Sequence, residues 1–113
     1  MIAQIVYFDG PRSPEFIAAF ERAGRERIMP ALSADDEARA GHRGTFILGR
    51  PDGTQIVVVL ADSAATLDRG EAVLTATSLL PGEDPALLTG PDRVERYDVV
   101  AAYDPSYRDL VPA

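Results

Sequence analysis

The sequence predicts an α+β domain, a four-stranded antiparallel sheet with two helices on one face. Three observations carry this. Strand-like and helix-like segments follow one another as strand, helix, strand, strand, helix, strand. Residues 56–61 read Ile-Val-Val-Val-Leu-Ala, apolar without a break, directly after the turn Pro51-Asp52-Gly53. Ser13 and Ser63 stand as N-caps ahead of the two helical segments. A hairpin strand with one wet face alternates apolar and polar residues, whereas an unbroken apolar strand demands cover on both faces. Two helices cover one face, so the other calls for a further layer, most economically a second copy of the chain.

Each element has its own local signals. Residues 2–8 are rich in β-branched and aromatic side chains and stop at Asp9-Gly10-Pro11, a strand closed by a turn. Ser13, Pro14 and Glu15 supply a cap, a proline in the first turn and an acid at the positive helix end. Phe16, Ile17, Phe20, Ala23, Gly24 and Ile28 then form a buried stripe at helical spacing. Pro30 is expected to kink or end this helix near Ile28, although Ala31 and Leu32 continue the stripe. Asp35-Asp36-Glu37 falls at its end or in the next loop. A strand over 45–49 and the run 56–61 are joined through Asp52-Gly53 as a hairpin. The second helix is predicted over 64–78, followed by a long connection in which Ala86-Leu87-Leu88 forms one turn over a pocket mouth. A fourth strand is expected over 93–103, with 104–113 as a tail. Right-handed crossovers place both helices on the same side of the sheet.

With 113 residues, 46% of them hydrophobic and 26% charged, the chain is long enough for one core and too short for two. A net charge of −7 with scattered cations argues against a nucleic-acid partner. The cations are all arginine, and neither cysteine nor lysine is present, which removes disulfides, thiol nucleophiles, thiolate metal sites and lysine Schiff bases. No apolar stretch nears the length of a membrane span, and no basic, export-type leader precedes the first strand. A cytoplasmic protein without membrane contact is the expectation.

The element order, together with Gly41-His42-Arg43-Gly44-Thr45-Phe46-Ile47-Leu48, the Asp52-Gly53 turn, Leu60-Ala61-Asp62-Ser63 and Val94-Glu95-Arg96-Tyr97-Asp98-Val99-Val100, resembles the antibiotic biosynthesis monooxygenase-like family of dimeric α+β barrels. The resemblance covers nearly all of residues 1–103, taken as a single domain. It implies a ferredoxin-like βαββαβ protomer that dimerises sheet to sheet, using one face of 56–61 and of 99–103. It also implies a pocket between the helices and the sheet of each protomer. Members include cofactor-free oxygenases, haem-degrading enzymes, cyclases and isomerases, so the family indicates fold more firmly than chemistry. The haem-degrading branch uses an asparagine and a tryptophan, and this chain has neither. Relatives often carry a bulky aromatic residue where Ala61 stands. Its replacement either enlarges a pocket or marks a member without one.

The chemistry expected on this basis is oxidation of a small aromatic or polyketide-type substrate without cofactor or metal. Such a reaction needs an apolar pocket, a base to form the substrate anion, and donors to hold that anion. His42 is the one side chain type here that ordinarily titrates near neutrality. His42 and Tyr97 are the catalytic candidates, and Phe8, Phe20, Arg43, Phe46 and Ala61 the ligand-binding ones. Against these stand plainer readings: a solvated loop histidine, core aromatics, and strand arginines paired across the sheet. A non-catalytic ligand-binding dimer, or a cyclase or isomerase working in the same pocket, are the alternatives. Asp35-Asp36-Glu37 and Glu83-Asp84 lack the spaced oxygen ligands and glycine of a calcium loop, so no metal is expected.

Overall fold

The computed structural model describes residues 1–108 and 111. It is an α+β fold built on one antiparallel sheet of four strands: β1 (Ile2–Phe8), β2 (His42–Gly49), β3 (Gln55–Ala61) and β4 (Arg93–Asp98), in the spatial order β2-β3-β1-β4. This order is compatible with a ferredoxin-like arrangement. β1 lies in the middle, with Ile2 opposite both Ala61 and Asp98. The hairpin between β2 and β3 turns at Gly53, whose φ of 94° favours glycine; a Cβ there would also run into the backbone of Arg12.

The helices are α1 (Pro14–Ala23), α2 (Met29–Ala34), α3 (Asp36–Gly41), α4 (Ala64–Thr75) and a short α5 (Pro105–Arg108). Both predicted caps form: Ser13 accepts from the Phe16 amide and Ser63 from the Thr66 amide. Phe16 and Phe20 of α1 pack with Phe8 of β1, ring centroids 5.0 to 6.1 Å apart. Arg96 of β4 hydrogen-bonds both Gln4 of β1 and Asp68 of α4. Phe8 and Gln4 lie on one face of β1, so α1 and α4 cover the same side of the sheet.

The first helix is interrupted where Pro30 is expected to kink or end it and then continues; two other boundaries differ from expectation. A π-turn over Gly24–Ile28 widens the coil immediately before Pro30, with the Met29 amide donating to the Gly24 carbonyl, and α2 follows. Proline cannot donate to the carbonyl four residues back and its ring crowds that group, so the widened turn accommodates it. The helix predicted over 64–78 ends at Thr75, where the Ala76 amide still bonds to Ala72 and Thr77 turns back onto Leu74. The strand predicted over 93–103 ends at Asp98. Its ladder with β1 closes at Ile2, and Val99 adds one bond to the Met1 carbonyl. Residues 99–103 therefore lie outside the sheet, with Val100 and Tyr103 almost fully exposed. The turn at 86–88 is present, closed by Leu87 to Asp84 and Leu88 to Pro85. In the tail, α5 places the Tyr107 hydroxyl near Gly44; residues 109, 110, 112 and 113 lie outside the described ones.

The sheet face turned away from the helices carries Ile5, Tyr7, Ile56, Val58, Leu60, Phe46, Leu48 and Tyr97 by register, together with the charged Arg93 opposite Tyr7 and Glu95 opposite Ile5. The central members are half-buried by their neighbours, and the edge members Phe46, Leu48 and Tyr97 are about half exposed. Among the described residues no helix is long and apolar enough to cross a membrane.

Candidate functional site

A cavity of about 90 Å³ lies between the sheet and the roof formed by α2, α3 and α4. Its floor is Val59 and Ala61 of β3 with His42 of β2. Its roof and walls are Met29, Leu32, Ala38, Thr66 and Leu67, and the exposed Ser33 and Arg39 stand at its mouth. Ala61 is completely buried, at 0% exposure, and Leu67 is 5% exposed. The lining is mostly apolar, and His42 is its only imidazole.

His42 reaches this position because α3 ends at Gly41 and the chain enters β2 through a register shift between His42 and Gly44. Such irregularities re-aim a side chain. Gly41 makes the junction possible: a Cβ there would collide with the Thr66 side chain of α4. The His42 Nε2 lies 2.7 Å from the Thr45 hydroxyl oxygen. That contact orients the ring through Nε2.

The roof is fastened by Asp35. Its carboxylate accepts from the Ala38 amide at 3.0 Å, capping α3, and takes two bonds from Arg69 of α4 at 3.0 and 2.6 Å. The Arg69 bonds, then the Ala38 bond, pull its pKa from 3.8 down to about 2. At the mouth Arg39 donates to the Ser33 carbonyl at 2.9 Å and to Asp36 at 2.7 Å. A second clamp fixes the loop after α4. Arg27, inside the π-turn, bonds both oxygens of Glu83 and the Thr77 hydroxyl. Their side chains are only 14% and 2% exposed, and Arg27, then the Leu80 amide, holds Glu83 below the usual carboxylate range.

Of the residues singled out from sequence, the cavity brings together His42 and Ala61. Arg43, next to His42, forms a two-pronged ion pair with Asp62 at 2.5 and 2.7 Å. Phe8 and Phe20 sit with Phe16 in the packed cluster under α1, outside the cavity lining. Phe46 pairs with Val58 and Tyr97 with Ala3, on the face opposite Val59 and Ala61, so neither shares a pocket with His42. The Tyr97 hydroxyl donates to Glu95, which raises its pKa and keeps the phenol protonated. The connection over 81–88 lies along α1, and the two line a second pocket of about 320 Å³ with Ala18, Ala19, Leu87 and Leu88 in its walls; the connection does not line the His42 cavity.

Sequence reasoning missed Met29, Leu32, Thr45, Thr66 and the Asp35–Arg69 clamp. The signal for Asp35 was present: an acid three residues before a small helical residue, with Asp36 and Glu37 in the turn between, is an N-cap pattern. Among the described residues no group of three or more His, Asp or Glu side chains is placed to hold a metal ion. A scan against models of known protein families finds no match, and a search of curated proteins finds none.

Proposed function

We propose that the chain is a small-molecule protein of the antibiotic biosynthesis monooxygenase-like kind, which oxidises a small aromatic substrate at the His42 cavity without a cofactor. In this reading the protomer is ferredoxin-like and closes sheet to sheet with a second copy into a dimeric α+β barrel. The observation that carries it is the single imidazole in a mostly apolar cavity under the helices, beside the fully buried Ala61. His42 takes a proton from a phenol or an activated ring CH₂ through Nδ1, with Thr45 holding the ring by Nε2. The phenolate or carbanion so formed reacts with oxygen at carbon. A ring CH of the phenol, giving a quinone, or the CH₂ becomes C=O; one oxygen atom stays in the product, and the other leaves as water. Arg39 at the mouth supplies positive charge for the anion.

The cavity takes one end of such a ligand, and the remainder extends past Met29, Ser33 and Arg39 to solvent. Oxygen uptake with a panel of simple phenols and anthrones tests this. His42→Ala is expected to keep ligand binding and lose turnover by about 10²- to 10⁴-fold. Unchanged turnover would remove His42 from the chemistry. Binding without turnover is the second reading; in either reading only part of the ligand enters, since about 90 Å³ is less than the roughly 150 Å³ that accommodates benzene in an engineered apolar cavity. Tight binding with no oxygen consumption by any ligand in the panel decides for that reading.

A further inference from the structure

The two edges of the sheet are defended differently. β4 carries Arg93, Glu95, Arg96 and Asp98 among its six residues, and charges along an edge discourage pairing with another strand. The opposite edge, β2, carries none over residues 44–49, which read Gly-Thr-Phe-Ile-Leu-Gly. Phe46, Ile47 and Leu48 there are 49%, 53% and 52% exposed. An edge strand with unpaired backbone groups and large apolar side chains on both faces is a template for a further strand.

The hydrogen-bonding phase of that edge follows from the hairpin. The Arg50 amide donates to the Thr54 carbonyl at 3.0 Å, so Arg50 belongs to the set of residues bonded to β3. Alternation then turns the amides and carbonyls of Gly49, Ile47 and Thr45 outward. We propose that this edge pairs with the same edge of a second copy, antiparallel about a two-fold axis at Ile47, to give a continuous eight-stranded sheet. In that register Ile47 meets Ile47 and exchanges two N–H···O bonds with it, Thr45 lies opposite Gly49, and Phe46 lies opposite Leu48. All large contacts are apolar on apolar, and no charge meets a like charge. That is what a chain of net charge −7 needs at a contact with itself. The pairing engages the backbone edge of β2, whereas face-to-face packing engages the side chains of the open face, so different substitutions test the two.

Amide hydrogen exchange from micromolar to millimolar protein tests it. The Thr45, Ile47 and Gly49 amides are expected to slow by about tenfold or more as the free fraction falls. Ile47→Pro removes one outward donor and leaves the β3 ladder intact, a substitution that edge strands tolerate. Ile47→Lys adds a charge at the axis. Both are expected to abolish the concentration-dependent protection of Thr45 and Gly49, with circular dichroism confirming the fold. Val58→Asp, which disrupts contact through the open face, is expected to leave that protection in place. The proposal is overturned if these amides exchange at one rate at every concentration. Equal slowing in Ile47→Lys, or loss of the slowing in Val58→Asp, overturns it too.

Discussion

Asp35 does three jobs: its backbone ends α2 on the Leu32 carbonyl, and its carboxylate caps α3 and holds Arg69 of α4. Its pKa is depressed from 3.8 to about 2, so its contribution to stability is in place above the ordinary carboxylate value. That contribution is lost as pH falls through the interval between the two values. Glu83, Asp62, Asp52 and Asp92 are shifted the same way, the first two chiefly by Arg27 and Arg43, Asp52 by the Thr54 amide and Asp92 by the Asp9 amide. Thermal melts followed by circular dichroism are therefore expected to weaken in this acid interval. Asp35→Asn should lower the melting temperature near neutrality and show a smaller further drop on acidification than the parent chain. An equal drop would mean that other carboxylates carry the acid response. His42 and Ala61, the chain's only histidine and the end of its most apolar run, are the two singled-out residues that line the cavity. The face on which Tyr97 and Phe46 lie was not legible, because a strand's alternation has two possible phases and only the register with neighbouring strands decides between them.

At the scale of elements, strand and helix positions followed from caps, turns and periodicity, while their ends depended on partners far along the chain. The fourth strand reads as apolar and extended through Tyr103, yet β1 offers it no ladder beyond Ile2. The contact between α3 and α4 is equally non-local. Gly41 meets Thr66 so closely that a methyl group has no room. Gly41→Ala is expected to destabilise the fold by about 1–3 kcal/mol, overpacking outweighing the gain from a stiffer unfolded chain. Urea unfolding measures this, and Thr66→Ala in the same chain should restore part of the loss, since it removes the nearest colliding atoms. Additive losses would show that the two side chains do not compete for the same space. The junction at Gly41 also aims His42, so the single variant is a structural handle on the cavity that acts through Thr66 in its lining without replacing a lining residue.

For the whole molecule, the helix side and the open side of the sheet divide the labour. Cavity and clamps lie on one side; the other presents Ile5, Ile56, Val58 and Leu60 with aromatic and leucine side chains around them. Among the described residues no large side chain is fully buried, which for a chain of 113 residues is a thin core. A second copy on that face would bury several such side chains, each worth roughly 1.5–3 kcal/mol when taken fully out of water. Sedimentation is expected to show a dimer or larger assembly at micromolar concentration, and Val58→Asp to reduce its mass by at least one step. A parent chain that stays monomeric would remove the sheet-to-sheet reading. The apolar run in β3 is visible in the sequence. That β2 is an edge is hidden there, because the strand order decides it.

The π-turn ahead of Pro30 can also be read as a matter of counting. A regular helix continuing from Phe16, Phe20 and Ala23 would turn Arg27, Ala31 and Ala34 toward the sheet. The widened turn sets the chain back by one residue, so that Ile28, Leu32 and Asp35 take those places. The cavity wall and the clamp of its roof thus belong to a frame offset by one from the helix that leads into them. An alignment that runs through this helix without a one-residue gap would match every position from Met29 to Asp35 to the wrong neighbour.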